Sequence, residues 1–395
     1  MRKRNLIVGA TFTAVLAGLG VAQSLMDKAA AAQARAGVQA PRFEVDPMWP
    51  KPLPNHWLLG MTIGVGVDKN DNVYIIHRGT PTLNVKELYA AQNPPMSECC
   101  LSAPPVLVFD PAGNLISSWG GKGEGYEWPE SNHGITPDSK GNVFIGGNGA
   151  NDGHILKFTT DGKFVKQFGF QWANAGSNDM WAFAKVAKIS LDEQANEAYI
   201  ADGYGNKRVA VIDMDSGKIK RYWGAYGNKP DDTNRGRYNP DAPLIQQFRN
   251  PVHCAEPSND GFVYVCDRVN DRLQVFTKEG KFVKEVRVAP RTLGDGAVWD
   301  ITFSRDPQQR FLYMADGSNE KVYIFDRQSL ELLTSFGDGG RIPGAFYAVH
   351  SIATDSKGNL YTTETYEGKR IQKFVYKGLA PVTKLNQGVV WPSTR

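Results

Sequence analysis

VHCAEPSNDGFVYVCDRVNDRLQVF, residues 252–276, reads as three short β-strands joined by tight turns. Apolar VHCA leads into the turn PSNDG, FVYVCD mixes β-branched and aromatic residues, and RLQVF opens a third strand after a polar turn. FVYVCD carries an aromatic, Tyr264, in its third place. Five other runs do the same: NVYIIH (72–77), NVFIGG (142–147), EAYIAD (197–202), FLYMAD (311–316) and NLYTTE (359–364), with Tyr74, Phe144, Tyr199, Tyr313 and Tyr361 in that place. From Tyr74 to Tyr361 the spacing averages roughly 57 residues, in the range of four-stranded propeller blades with some long loops.

Turns of the form DPAG, TDG, DSG and KEG follow the third strands and lead to outer strands such as LISSWG, FVKQFG and IKRYWG, giving four strands per repeat. Helical periodicity is nearly absent; NVKELYAAQ is the one helical candidate. The sixth repeat lacks a clear fourth strand, and RFEVD (42–46) is available to supply it and close the ring, which removes the exposed sheet edges of an open array. The expected fold is therefore all-β, a six-bladed β-propeller over residues 42–395, preceded at 1–34 by a leader and linker.

That leader, MRKRN followed by the apolar run Leu6 to Ala22, has the layout of a secretory signal, and an uncleaved anchor is the alternative. The chain is expected to be exported, periplasmic or secreted, and to meet membrane only through such an anchor. Lys+Arg number 45 against 41 Asp+Glu, with both signs mixed and no basic block beyond the leader, so nothing points to nucleic acid. Four cysteines in an exported chain are candidates for pairing. Cys254 and Cys266 fall on the two arms of one hairpin, and Cys99 and Cys100 are vicinal within the long loop Gly79 to Pro105.

His133, His253 and His350 each lie eleven residues before the signature aromatic of repeats two, four and six. Equivalent positions on alternate blades of a six-bladed ring converge on the axis from three directions about 120° apart. Three imidazoles aimed at one point are a metal site, and zinc with an open fourth position is the commonest occupant. His56, His77 and His154 lack that equivalence and read as surface or packing residues. Past the signature strands stand Arg78, Tyr204 and Arg268, suited to gripping a carboxylate and moving a proton near the channel mouth. For Arg268 the alternative is a salt bridge to Asp267 or Asp271.

With these residues in place, GVGVDKNDNVYIIHRG (64–79), NHGITPDSKGN (132–142), DGYGNKRVAVID (202–213), residues 252–276 and VHSIATDSKGNLY (349–361) resemble, in order, the blade motifs of peptidyl-α-hydroxyglycine α-amidating lyase, within the wider class of NHL-repeat propellers. The resemblance runs from about Gly64 to Phe374. It implies a catalytic zinc on His133, His253 and His350, a catalytic Tyr204, substrate-binding Arg78 and Arg268, and cleavage of a carbinolamide into an amide and glyoxylate. The implied partner is a small or peptide-like substrate with a carboxylate, and a monomer is the default expectation for a closed propeller. Two positions depart from that family. Gly205 stands where it has a disulfide cysteine, and Ser351 replaces an aspartate that helps hold a structural calcium, which argues against calcium here although carbonyls at Val65 and Ile135 match. Two further readings compete, a metal-dependent lactonase-like hydrolase, whose sites are oxygen-rich, and a non-catalytic NHL-repeat binding propeller.

Overall fold

Several turns of the chain carry an Asp and an Asn four residues apart, and the side chains explain the pairing. Asp68 accepts from the backbone N–H groups of Asn70 and Asn72 at 2.8 and 2.9 Å and from Asn72 Nδ2 at 3.0 Å. Asp110 with Asn114, Asp138 with Asn142 and Asp355 with Asn359 repeat the arrangement. Each aspartate closes its turn by substituting for backbone acceptors. Gly141 and Gly358 take the left-handed residue these turns need, at φ 87° and 82°.

With strands so punctuated, a computed structural model, which describes residues 37–392, forms six four-stranded antiparallel sheets. This is the expected six-bladed β-propeller. Its inner strands are Thr62–Val67, Asn132–Pro137, Val186–Asp192, Val252–Pro257, Asp300–Phe303 and Val349–Thr354, one for each of blades 1 to 6. The leader expected at 1–34 lies outside the described residues. Among the described residues no helix is long and apolar enough to cross a membrane. The helical candidate becomes a 3-10 segment, Val85–Ala91, capped by Asn84 with Glu87 closing a capping box.

Blade 6 is completed from the other end of the chain. Gln39–Asp46 pairs antiparallel with Arg370–Pro381 and forms the outermost strand of that sheet. The expected strand at 42–46 is thus extended by three residues. The six signature aromatics are buried between neighbouring blades; Phe144, Tyr199 and Tyr361 have no exposed surface, and Tyr361 packs 4.9 Å from Trp49 between ring centroids. Two buried ion pairs, Arg208 with Asp202 at 2.8 Å and Arg272 with Asp267 at 2.6 Å, tie the second strand to the third in blades 3 and 4. Both arginines also donate to carbonyls of the preceding loops, so these charges are fully partnered. Cys254 and Cys266 face each other across their hairpin and form a disulfide, and Cys99 is bonded to Cys100.

Candidate metal centre

Five of the six inner strands are bulged where they pass the channel. Register slips fall between Thr62 and Gly64, His133 and Ile135, Val186 and Lys188, Val252 and Cys254, and Val349 and Ser351. Bulges re-aim a side chain relative to the sheet. Counting three residues back from the partners of the signature aromatics, Gly66, Thr136, Ser190, Glu256, Thr302 and Ala353, places Ile63, His133, Ala187, His253, Trp299 and His350 at one position of blades 1 to 6.

That equivalence sets how the imidazoles are held. His133 Nδ1 donates to the Ala187 carbonyl at 2.6 Å, His253 Nδ1 to that of Trp299 at 2.5 Å, and His350 Nδ1 to that of Ile63 at 2.6 Å. Each histidine of an even blade is oriented by the equivalent residue of the next, odd blade. A carbonyl only accepts, so Nδ1 carries the proton and the Nε2 lone pair faces inward, the tautomer a metal ligand needs. The three side chains are buried and their ligand atoms lie within 4.8 Å of one another. Burial first, then the nearby Arg268 and Arg78 guanidiniums, pushes His350 down to about 3. Burial likewise holds His133 and His253 well below the ordinary histidine value, with His350 and Arg268 the next contributors respectively. All three are neutral at physiological pH.

Tyr204 closes the centre from above. Its Oη lies 3.1 Å from His133 Nε2 and 3.0 Å from His253 Nε2. One hydroxyl proton faces two lone pairs, so one acceptor is left without a donor. A cation between the nitrogens resolves that mismatch, and the donor set therefore fits a metal ion. The loop that holds the phenol is tightly built. Tyr204 N–H bonds to the Lys185 carbonyl and Gly205 N–H to that of Ala184. A Cβ on Gly203 would overlap the Val252 carbonyl, and one on Gly205 would lie 2.6 Å from Ala184 Cβ. Glycine at 205, one of the two departures noted in the sequence, follows from this close approach.

Arg268 does not pair with Asp267 or Asp271; Asp267 is taken by Arg272, and Asp271 accepts from Ala297 N–H. Its guanidinium instead lies 4.5 Å over the Trp299 ring, with Nη1 3.3 Å from Tyr204 Oη and Nη2 3.4 Å from Asp295. Arg268 Nε is buried with no partner. Arg78 Nη2 donates to Asn148 Oδ1 at 2.8 Å. Ser351, at the other departure, donates from Oγ to Asp300 at 2.8 Å. Trp299, Asp295 and Asn148 are site residues that sequence reasoning missed. Only Trp299 left a signal, visible once the longer turn between Phe303 and Phe311 is allowed for.

The remaining histidines stand apart, as expected. His77 Nδ1 accepts from Gly60 and Gly79 N–H at 3.0 and 3.1 Å and Nε2 donates to the Pro104 carbonyl at 2.9 Å, so it clamps backbone. His154 Nε2 contacts the Glu127 carbonyl, and His56 is exposed. Between blades 1 and 2 a cleft of about 1280 Å³ opens beside Arg78 and Asn132, walled by Trp57, Pro104, Tyr126 and Trp128.

No family model matches the chain. Among curated proteins it is similar to peptidylglycine alpha-amidating monooxygenase of Rattus norvegicus, 24% identical over 328 residues, covering 79% of this chain and 30% of that protein. It is similar to peptidyl-glycine alpha-amidating monooxygenase A of Xenopus laevis, 25% identical over 233 residues, covering 58% and 23%. A third relative is NHL repeat-containing protein 3 of Mus musculus, 25% identical over 358 residues, covering 86% and 85%. The chain thus spans less than a third of the amidating monooxygenases it matches. These names agree with the resemblance drawn from the blade motifs.

Proposed function

We propose that the chain is a zinc-dependent lyase that splits an α-hydroxyglycine-type carbinolamide into an amide and glyoxylate. The observation that carries this reading is the convergence of three inward Nε2 atoms, the Tyr204 hydroxyl and the Arg268 guanidinium on one buried point. In the reaction the substrate hydroxyl loses its proton, its oxygen becomes the carbonyl of glyoxylate, the C–N bond breaks and the nitrogen gains a proton. No water, redox partner or covalent nucleophile is consumed.

His133, His253 and His350 would hold the ion, whose contribution is Lewis acidity toward the substrate oxygen. Tyr204 Oη is the atom placed to take the hydroxyl proton. Arg268, with its free Nε, and Arg78, held by Asn148, give the channel mouth the charge to bind a carboxylate. The apolar wall of the neighbouring cleft suits the acyl side of a small or peptide-like substrate. Two disulfides accord with an oxidising compartment, and we place the protein outside the cytosol, periplasmic or secreted.

The test is elemental analysis of the purified protein together with glyoxylate release from α-hydroxyhippurate. About one zinc per chain with glyoxylate formed supports the lyase. Zinc without glyoxylate leaves the metal centre and removes this substrate class. No metal at all turns the reading to a binding propeller, the sense in which its likeness to an NHL repeat-containing protein would then be taken.

A further inference from the structure

Directly beneath the histidines, the next residue of each inner strand forms a second ring. Matched in the same register, this ring is Gly64, Gly134, Lys188, Cys254, Asp300 and Ser351. Three of its members are joined. Lys188 Nζ donates to Asp300 Oδ1 at 2.7 Å and to the Ile301 carbonyl at 3.2 Å, and lies 3.2 Å from Glu256 Oε2. The other oxygen of Asp300 accepts from Ser351 Oγ at 2.8 Å and from Ile352 N–H at 3.1 Å. Glu256 is steadied by Ser190 Oγ at 2.7 Å. An ammonium from blade 3 thus binds carboxylates of blades 4 and 5, and blade 6 completes the shell.

The covalent neighbours of this cluster are what give it meaning. Lys188 follows Ala187, whose carbonyl orients His133. Asp300 follows Trp299, whose carbonyl orients His253. Ser351 follows His350 itself. We infer that the Lys188–Asp300–Ser351 cluster is a positioning device for the metal centre, one ion pair between blades 3 and 5 that sets the angles of all three imidazoles at once. The inference rests on the metal-centre reading above.

The alternative is a plain structural ion pair, and the geometry distinguishes the two. Other ion pairs of this fold join adjacent strands of one blade, as Arg208 with Asp202 and Arg272 with Asp267 do, or neighbouring blades, as Lys278 with Asp192 and Arg327 with Asp260 do. The Lys188 pair instead skips blade 4 to join blades 3 and 5, which share neither a sheet nor a common boundary. Burial alone would lower the pKa of Lys188, but the facing Asp300 and Glu256 carboxylates outweigh it and raise the value, so the ammonium stays charged. Supporting groups that orient metal ligands typically change metal affinity by about 10–100-fold when removed.

The experiment measures zinc affinity by competition with a chelator, and the visible absorption of the cobalt-substituted protein, in the full chain, Lys188→Met, Ser351→Ala and a core control, Phe158→Leu, remote from the channel. The expected result is a zinc affinity about 10–100-fold weaker in Lys188→Met, a smaller loss in Ser351→Ala, and an altered cobalt spectrum in both. Phe158→Leu should lose thermal stability while keeping wild-type affinity and spectrum. Ser351→Ala removes one hydroxyl and carries the test if Lys188→Met fails to fold. Wild-type affinity and spectrum in the variants would overturn the inference and leave the metal centre standing. Absence of metal binding in the unmodified chain would overturn both.

Discussion

The even and odd blades are built from the same four strands, yet they give the channel different things. Blades 2, 4 and 6 offer the side chains His133, His253 and His350; at the same position blades 1, 3 and 5 offer the carbonyls of Ile63, Ala187 and Trp299. The odd-blade side chains take no part in orienting the imidazoles, and they differ from Ala187 to Trp299, whose ring instead lies under Arg268. The comparison teaches that the centre is a property of the closed ring. His350 takes its orientation from Ile63, and the two meet only because blade 6 returns to blade 1.

The sharpest way to break this comparison is to change both kinds of position. His133→Ala with His253→Ala is expected to abolish zinc binding and glyoxylate release, whereas Ala187→Gly, which keeps the carbonyl, should retain zinc and lose at most about 1 kcal/mol of stability. Equal loss of zinc in the two variants, read by elemental analysis, would mean that the odd blades contribute more than a carbonyl. Tyr204→Phe should keep the metal and lower kcat by about 10²–10⁴-fold, since it removes the proton acceptor but no ligand. A kcat near wild type would assign proton transfer to another group.

Closure itself is tested at the seam. Phe43, on the N-terminal strand, is 2% exposed and packs 5.5 Å from the rings of Tyr313 and Phe336. Phe43→Ala should cost about 3–5 kcal/mol, seen as a lower urea midpoint, because it empties the junction that fastens the two ends. A change under about 1 kcal/mol would show that the backbone pairing of the seam suffices without its core.

An effect that appears only as pH falls concerns His77, an odd-blade histidine that faces backbone instead of channel. Burial pushes its pKa from 6.5 down to about 4 while the unfolded chain keeps the ordinary value. Below pH 6.5 the unfolded state therefore binds the proton first. The contribution of His77 is full above pH 6.5 and is lost as pH falls toward 4, about 3 kcal/mol in all. Urea titrations of metal-free protein at pH 7 and 4.5 should show a steeper loss for the wild type than for His77→Gln; parallel losses would remove His77 from the pH dependence.

Much of this was legible before any tertiary contact was known. The polar turns and the six aromatic runs mark out the blades because turn closure and strand alternation are local, and the common distance from histidine to aromatic in repeats two, four and six survives because their turns have equal length. Trp299 escaped notice because residues 304–310 lengthen the turn of blade 5 and shift its inner position by three. Arg268 was open between a salt bridge and the channel, since sequence proximity to Asp267 and Asp271 gave no sign that Arg272 claims the former.

The sequence by itself determined the strands, their count and the ring of three histidines, for those depend on local propensity and on repetition. Only the tertiary structure decided which carbonyl fixes each imidazole, that Gly203 and Gly205 let Tyr204 reach two of them, and that Lys188 and Asp300 meet 112 residues apart. The physical reason is that a backbone acceptor is the same in every residue, and a contact across the channel exists only once the first and last strands of the chain have closed the ring.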